Sequence, residues 1–262
     1  MFKYVRVVLK ILPLLIFEYF AWILPYSINP KKYPFEKRFK KVQKLIIKVI
    51  KAFNIVSYDE TYQKFINSKD PNRNYVIFCN HMSFLDPLYF ISRSKTPVTF
   101  VAKKEIEKYP FVGRIIKILD GEFLDREDNK KALRTFMNVQ KKLASSTRMD
   151  IIIFPEGTRN KDPLNSDVAS FHAGTFRCAL KSKCPVLIAS IFGTFRASNG
   201  KYFAKYNPVR LENIKVLEYE DIKDMNTEQI SEYSYQLIND DVKKAKVFDK
   251  EKMKLLNKKH IN

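Results

Sequence analysis

The chain has 262 residues, 45% of them hydrophobic and only six of them glycine. That supports a full buried core and excludes the collagen-like and disordered classes. Its formal net charge of +20 points to an anionic partner: nucleic acid, an anionic membrane or phosphorylated substrates.

The N-terminus comes first. Residues 11–25, ILPLLIFEYFAWILP, are almost wholly apolar, with Glu18 as the one charge, and Lys3, Arg6 and Lys10 precede them. No small-residue cleavage site follows, so a signal peptide is not expected. A transmembrane helix needs about 20 apolar residues, a length reached here only by admitting Arg6 and Lys10, and Pro13 interrupts the run. The expectation is a membrane-embedded or interfacial segment, with a single span or a core helix docked on the domain as alternatives. Tyr19, Trp22 and Tyr26 suit the headgroup level. In residues 30–53, rich in lysine, Val42, Leu45, Ile46, Val49, Ile50 and Phe53 recur at steps of three and four. This spacing predicts an amphipathic helix whose basic face suits an anionic membrane surface; an ordinary surface helix is the alternative. Residues 1–57 thus form an N-terminal helical, membrane-associated region.

From Tyr75 the pattern changes. Short apolar runs rich in strand formers occur at 75–80 (YVIFCN), 98–102 (VTFVA), 123–124, 150–154 (DIIIF) and 185–192 (PVLIASIF). Helical patterns lie between them, at 87–93, 129–143 and 171–181, with a more polar strand at 209–217 and a closing helix at 227–246. Alternation of apolar strands with helices predicts an α/β fold, a single mixed sheet with flanking helices, over residues 58–246. Residues 247–262 read as a basic C-terminal tail. Cys79, Cys178 and Cys184 lack metal-ligand spacing and read as reduced, buried thiols in a domain facing the cytosol.

Ligands of open α/β sheets bind beyond the carboxyl ends of strands, so the residues after each strand carry the chemistry. After 75–80 comes Asn80-His81-Met82-Ser83-Phe84-Leu85-Asp86-Pro87. An imidazole titrates near neutrality and suits proton abstraction from a hydroxyl, and a carboxylate on its other nitrogen would orient it. Asp86 is the nearest carboxylate, but five residues on an ideal helix turn through about 140°. A helix that begins at Asp86, with Pro87 at its first position, frees residues 81–85 to curl back. In the alternative Asp86 is only a helix cap and His81 only a loop histidine. After 150–154 comes Pro155-Glu156-Gly157-Thr158-Arg159. Gly157 permits a tight turn, Glu156 has the chemistry to bond a substrate hydroxyl, and Arg159 offers a planar fork suited to phosphate. Arg126, past the short strand at 123–124, and Lys103 complete a polycationic phosphate site.

These blocks resemble the glycerolipid acyltransferase family typified by 1-acyl-glycerol-3-phosphate acyltransferases. Asn80-His81 through Asp86 matches its NHxxxxD motif, and Phe154 to Arg159 matches FPEGTR. Gly121 to Arg126 is similar to its GxxFIDR block, with the glycine offset and Leu124 in place of isoleucine. Cys184-Pro185-Val186 is similar to its proline-centred fourth block. One departure stands out: Phe171-His172-Ala173-Gly174 has His172 where the family often has lysine. The resemblance implies that His81, oriented by Asp86, deprotonates an acceptor hydroxyl, which attacks the thioester of acyl-CoA or acyl-carrier protein. Lys103, Arg126 and Arg159 would hold the acceptor's phosphate, and Glu156, Gly157 and Thr158 would complete the site. It implies neither metal nor cofactor, a lysophospholipid acceptor at an anionic membrane, and location on the cytoplasmic face, monotopic or single-span. Rival readings are transfer to glycerol 3-phosphate or another lysolipid, a silent scaffold, and a basic nucleic-acid-binding protein; the last lacks aromatics interleaved with basic residues.

Overall fold

The computed structural model describes residues 2–199, 202 and 204–258. The chain begins with α1 (Phe2–Glu18), a π-helical turn at Tyr19–Ile23, α2 (Leu24–Ile28) and the basic helix α3 (Phe35–Ala52). Then follow β1 (Ile55–Tyr58), α4 (Glu60–Ser68), β2 (Val76–Cys79), α5 (Leu85–Arg93), β3 (Val98–Lys103), α6 (Val112–Ile118) and β4 (Glu122–Leu124). The second half runs α7 (Asn129–Leu143), β5 (Asp150–Ile153), α8 (Arg177–Ser182), β6 (Val186–Phe192), α9 (Thr194–Ser198), β7 (Asn207–Leu217), α10 (Tyr219–Ile222) and α11 (Thr227–Lys258).

The seven strands form one sheet in the order β1-β7-β6-β2-β5-β3-β4. The five from β6 to β4 run parallel; β7 is antiparallel to β6 and parallel to β1. The sheet is mixed, as expected. Every residue of β2, β5 and β6 is buried, because helices cover both faces. Successive side chains point to opposite sides. Ile77, Cys79, Leu187 and Ala189 join the core under α3, α5 and α6, while Val76, Phe78, Ile151 and Ile153 join the one under α7, α8 and α11. The three cysteines are buried. The expected strands all form. The helix expected over 171–181 instead starts as a 3-10 turn at Ala173–Phe176. The closing helix runs twelve residues past Lys246 to Lys258, so the boundary expected at 247 falls inside α11; His260 and the rest of 259–262 lie outside the described residues.

Residues 55–57, expected in the N-terminal helical region, belong to β1 of the sheet, and the rest of that region differs from expectation in two ways. Pro13 does not interrupt its helix, which runs on to Glu18. Proline has no N–H to give the carbonyl of Leu9, and Leu9 is largely exposed. The irregularity falls later, at the π-helical turn. The second difference concerns α3: its Phe39, Val42, Leu45, Ile46 and Ile50 are buried in the domain core. That apolar face packs on protein, and only the lysine face, with Lys37, Lys40, Lys44, Lys48 and Lys51 exposed, remains for other partners. Buried Arg38 fixes α3 to the domain, donating to Asp120 at 2.8 Å and to the carbonyl of Ile118. Residues Val7–Ile28 are long and apolar enough to cross a membrane, about 33 Å at 1.5 Å per residue. One side docks through Ile11, Trp22 and Ile23. Glu18, the one acid in the run, accepts from Trp22 and pairs with Lys48 of α3. The other side leaves Phe17 69% and Phe20 66% exposed beside Leu9, Leu12 and Ile16, more contiguous apolar surface than a water-facing helix carries.

Candidate active site

The parallel strands deliver their carboxyl ends to one edge. There β2 leads to His81, β5 to Glu156, β3 to Lys103, β4 to Arg126 and β6 to Thr194. Asn80 locks the edge: its buried side-chain amide donates to the Ile191 carbonyl at 2.9 Å and accepts from the Ile191 N–H at 2.8 Å.

His81 and Asp86 meet, with Nδ1 to Oδ2 at 2.7 Å. The loop curls back as anticipated, although α5 starts at Leu85, one residue early. Asp86 is not a helix cap. Its Oδ2 reaches backward to accept from the amides of Met82 (2.7 Å) and Ser83 (2.8 Å), and its Oδ1 accepts from the Thr194 hydroxyl. A carboxylate so surrounded by donors accepts only, so the proton of neutral His81 sits on Nδ1 and the Nε2 lone pair is left for substrate. Nε2 has no hydrogen-bond partner among the described residues. The ring stacks on Phe154 at 4.2 Å between centroids, and its side chain is 19% exposed against 0% for Asp86. The dyad thus pairs a reachable nitrogen with an anchored carboxylate. Ser83 is fully buried and is no nucleophile.

Glu156 sits apart from its expected place. It is buried, and its two oxygens accept from the backbone amides of His81 (2.5 Å) and Ala169 (3.1 Å). It holds the His81 loop and is not open to a substrate hydroxyl. Burial pushes its carboxyl up to about 7, against the pull of those two amides. The His81 carbonyl also accepts from Asn160 N–H at 2.8 Å, so the loops after β2 and β5 form one unit.

Gly157 takes φ +67, and a Cβ there would lie 3.0 Å from the ring of His172 and 3.7 Å from the Arg126 guanidinium. The turn therefore needs glycine, and it gathers Arg126 and His172 at the mouth of the site. Lys103 is close by but pairs with Glu105 at 2.7 Å; that hydrogen bond, with help from Arg126, holds the Glu105 carboxyl below its ordinary value. Thr158 and Arg159 are exposed on the same loop as Gly157, and Arg159 has no ion-pair partner among the described residues. The structure brings together His81, Asp86, Glu156, Gly157 and Arg126. Sequence reasoning missed Thr194 and the anchoring part of Glu156. Thr194 was findable, since it lies two residues beyond β6, at the same sheet edge as His81.

The comparisons with known proteins point one way. A family model described as Acyltransferase matches residues 55–191. A probable 1-acyl-sn-glycerol-3-phosphate acyltransferase of Mycoplasma genitalium is 30% identical over 73% of this chain and 69% of its own length. Its Mycoplasma pneumoniae counterpart is 30% identical over 64% of this chain and 61% of its own length. The crystal structure of the 1-acyl-sn-glycerophosphate acyltransferase PlsC from Thermotoga maritima superposes with a TM-score of 0.71 at 26% identity, covering 93% of this chain and 95% of that one. With a 30% identical relative matched over more than two thirds of both chains and a family model spanning the sheet edge that carries the dyad, the chain belongs to the acyltransferase family that includes the 1-acyl-sn-glycerol-3-phosphate acyltransferases.

Proposed function

We propose that this protein transfers a fatty acyl group from a thioester, acyl-CoA or acyl-carrier protein, to the sn-2 hydroxyl of 1-acyl-glycerol-3-phosphate, making phosphatidic acid. The observation that carries this reading is the His81–Asp86 pair at 2.7 Å, on the sheet edge where Gly157 brings His172 and Arg126 together. His81 takes the acceptor's hydroxyl proton as the oxygen attacks the thioester carbonyl. The tetrahedral intermediate expels the thiolate, which takes the proton back from the imidazolium. Asp86 stabilises that imidazolium, and no cofactor is needed. Arg126 and Arg159 are the donors for the acceptor's phosphate, and Lys103, already paired with Glu105, adds charge more than a bond.

The protein works at the cytoplasmic face of an anionic membrane. Its exposed apolar helix enters the bilayer and the lysine face of α3 lies on the headgroups, at about 1 kcal/mol for each well-placed lysine. Residues 1–57 thereby present an acyltransferase domain to an acceptor that stays in the bilayer. The purified protein tests this against a panel of 1-acyl-glycerol-3-phosphate, glycerol 3-phosphate and phosphate-free lysolipids, each with acyl-CoA and acyl-carrier protein. Preferred acylation of 1-acyl-glycerol-3-phosphate supports the reading; preference for glycerol 3-phosphate or a phosphate-free acceptor sinks it.

A further inference from the structure

We propose that Thr194 is a positioning residue for acyl transfer: its hydroxyl fixes the Asp86 carboxylate and, through it, the His81 imidazole. The inference rests on His81 being the base.

The backbone dictates where Thr194 goes. At the end of β6, Gly193 takes φ +102, and a Cβ there would come within 2.0 Å of the Pro208 carbonyl oxygen on β7. Only glycine lets the chain turn so closely beneath β7. The turn sets Thr194 at the first position of α9 with no exposed surface. A threonine in a first helical turn has a local backbone to bond. This one reaches instead to Oδ1 of a residue 108 positions earlier. The carboxylate only accepts, so the hydroxyl donates.

The geometry gives that bond a purpose. Oδ2 of Asp86 already holds His81 Nδ1 and the amides of Met82 and Ser83. Oδ1 has Thr194 as its one donor among the described residues. Without it the carboxyl group is free to swing about χ2, and each swing loosens Oδ2 from the imidazole. Thr194 is itself braced. Its χ1 is stiff because it is β-branched, Gly193 is wedged against β7, and Arg196 makes a buried bidentate pair with Asp249 of α11 at 2.6 and 2.5 Å. A brace built from β6, β7 and α11 thus ends on the dyad.

The test uses the full-length protein and follows kcat and KM for both substrates. Thr194→Val keeps the shape and removes the donor. We expect kcat to fall about 10- to 100-fold, the effect of losing a hydrogen bond to a buried charge, with both KM values within about twofold. Thr194→Ser should recover most of the loss and Thr194→Ala should not. That pair also decides the matter if the valine variant fails to fold, since both lose the methyl and only alanine loses the hydroxyl. Because Thr194 acts through the Asp86 side chain, Thr194→Val in an Asp86→Ala background, where no group is left to hold, should cost less than about threefold more. Wild-type kcat in Thr194→Val, equal impairment of the serine and alanine variants, or a full added penalty on Asp86→Ala would overturn the role. His81→Ala run alongside separates the readings. If it keeps turnover the base assignment fails; if it is dead while Thr194→Val is fully active, only the positioning role fails.

Discussion

Asp86→Asn should lower kcat by about 10³-fold while leaving the fold intact. The three donors on Oδ2 dictate which way the new amide faces: its oxygen takes their place and its NH₂ turns to Thr194, whose hydroxyl then accepts. The loop keeps its hydrogen bonds and the imidazole keeps its tautomer. Only the charge is lost. In the transition state that charge faces an imidazolium about 4 Å away, worth about 4 kcal/mol at an effective dielectric of about 20, or roughly three powers of ten in rate. Release of thiol from acyl-CoA, followed at saturating acceptor, gives kcat, and a thermal melt of the same sample reports the fold. A loss under about tenfold with the melt unchanged refutes the electrostatic role of Asp86. A loss that tracks a lowered melting temperature would mean that the carboxylate serves only to hold the loop.

Arg126→Ala should raise KM for the phosphorylated acceptor more than for the thioester, and Lys103→Ala should do so less, because Glu105 already occupies Lys103; steady-state kinetics with each substrate varied decides this, and an effect confined to the thioester moves Arg126 to the donor side. Glu156 has an ordinary value of 4.5 and stands at about 7 in the fold. The folded protein therefore binds the extra proton, and stability falls as pH rises from 4.5 to about 7, by about 3 kcal/mol at most. Denaturant melts across that window should show the wild type losing stability relative to Glu156→Gln, and a difference that stays constant with pH contradicts the burial argument. Phe17→Glu with Phe20→Glu should strip the protein from anionic vesicles in a flotation assay without lowering its melting temperature, since both rings point away from the domain; undiminished flotation would place the membrane contact elsewhere.

The strands β2, β5 and β6 were legible because each is buried on both faces and so reads as an unbroken apolar run. β1 was not: three half-buried residues and one exposed at a sheet edge leave no pattern. His81 and Asp86 were legible because their spacing fails on a helix and succeeds only if the loop curls back. Glu156 was found but given a part facing substrate, since nothing local reveals that two amides, one of them 75 residues away, take its oxygens. α3 shows the same limit. Its 3.6-residue period fixes an apolar face, but whether lipid or a sheet covers that face depends on contacts such as Arg38 to Asp120, which no local pattern contains.

The central claim is that His81 acts as the base for acyl transfer to a phosphorylated lysolipid. Its most direct test is single-turnover transfer of a labelled acyl group from acyl-CoA or acyl-carrier protein to 1-acyl-glycerol-3-phosphate held in anionic vesicles. The wild type and His81→Ala are compared at equal folded concentration. The wild type should yield labelled phosphatidic acid, and the variant a rate lower by about 10²–10⁴-fold. Equal rates from the two proteins, or no labelled phosphatidic acid from the wild type with either donor, would contradict it.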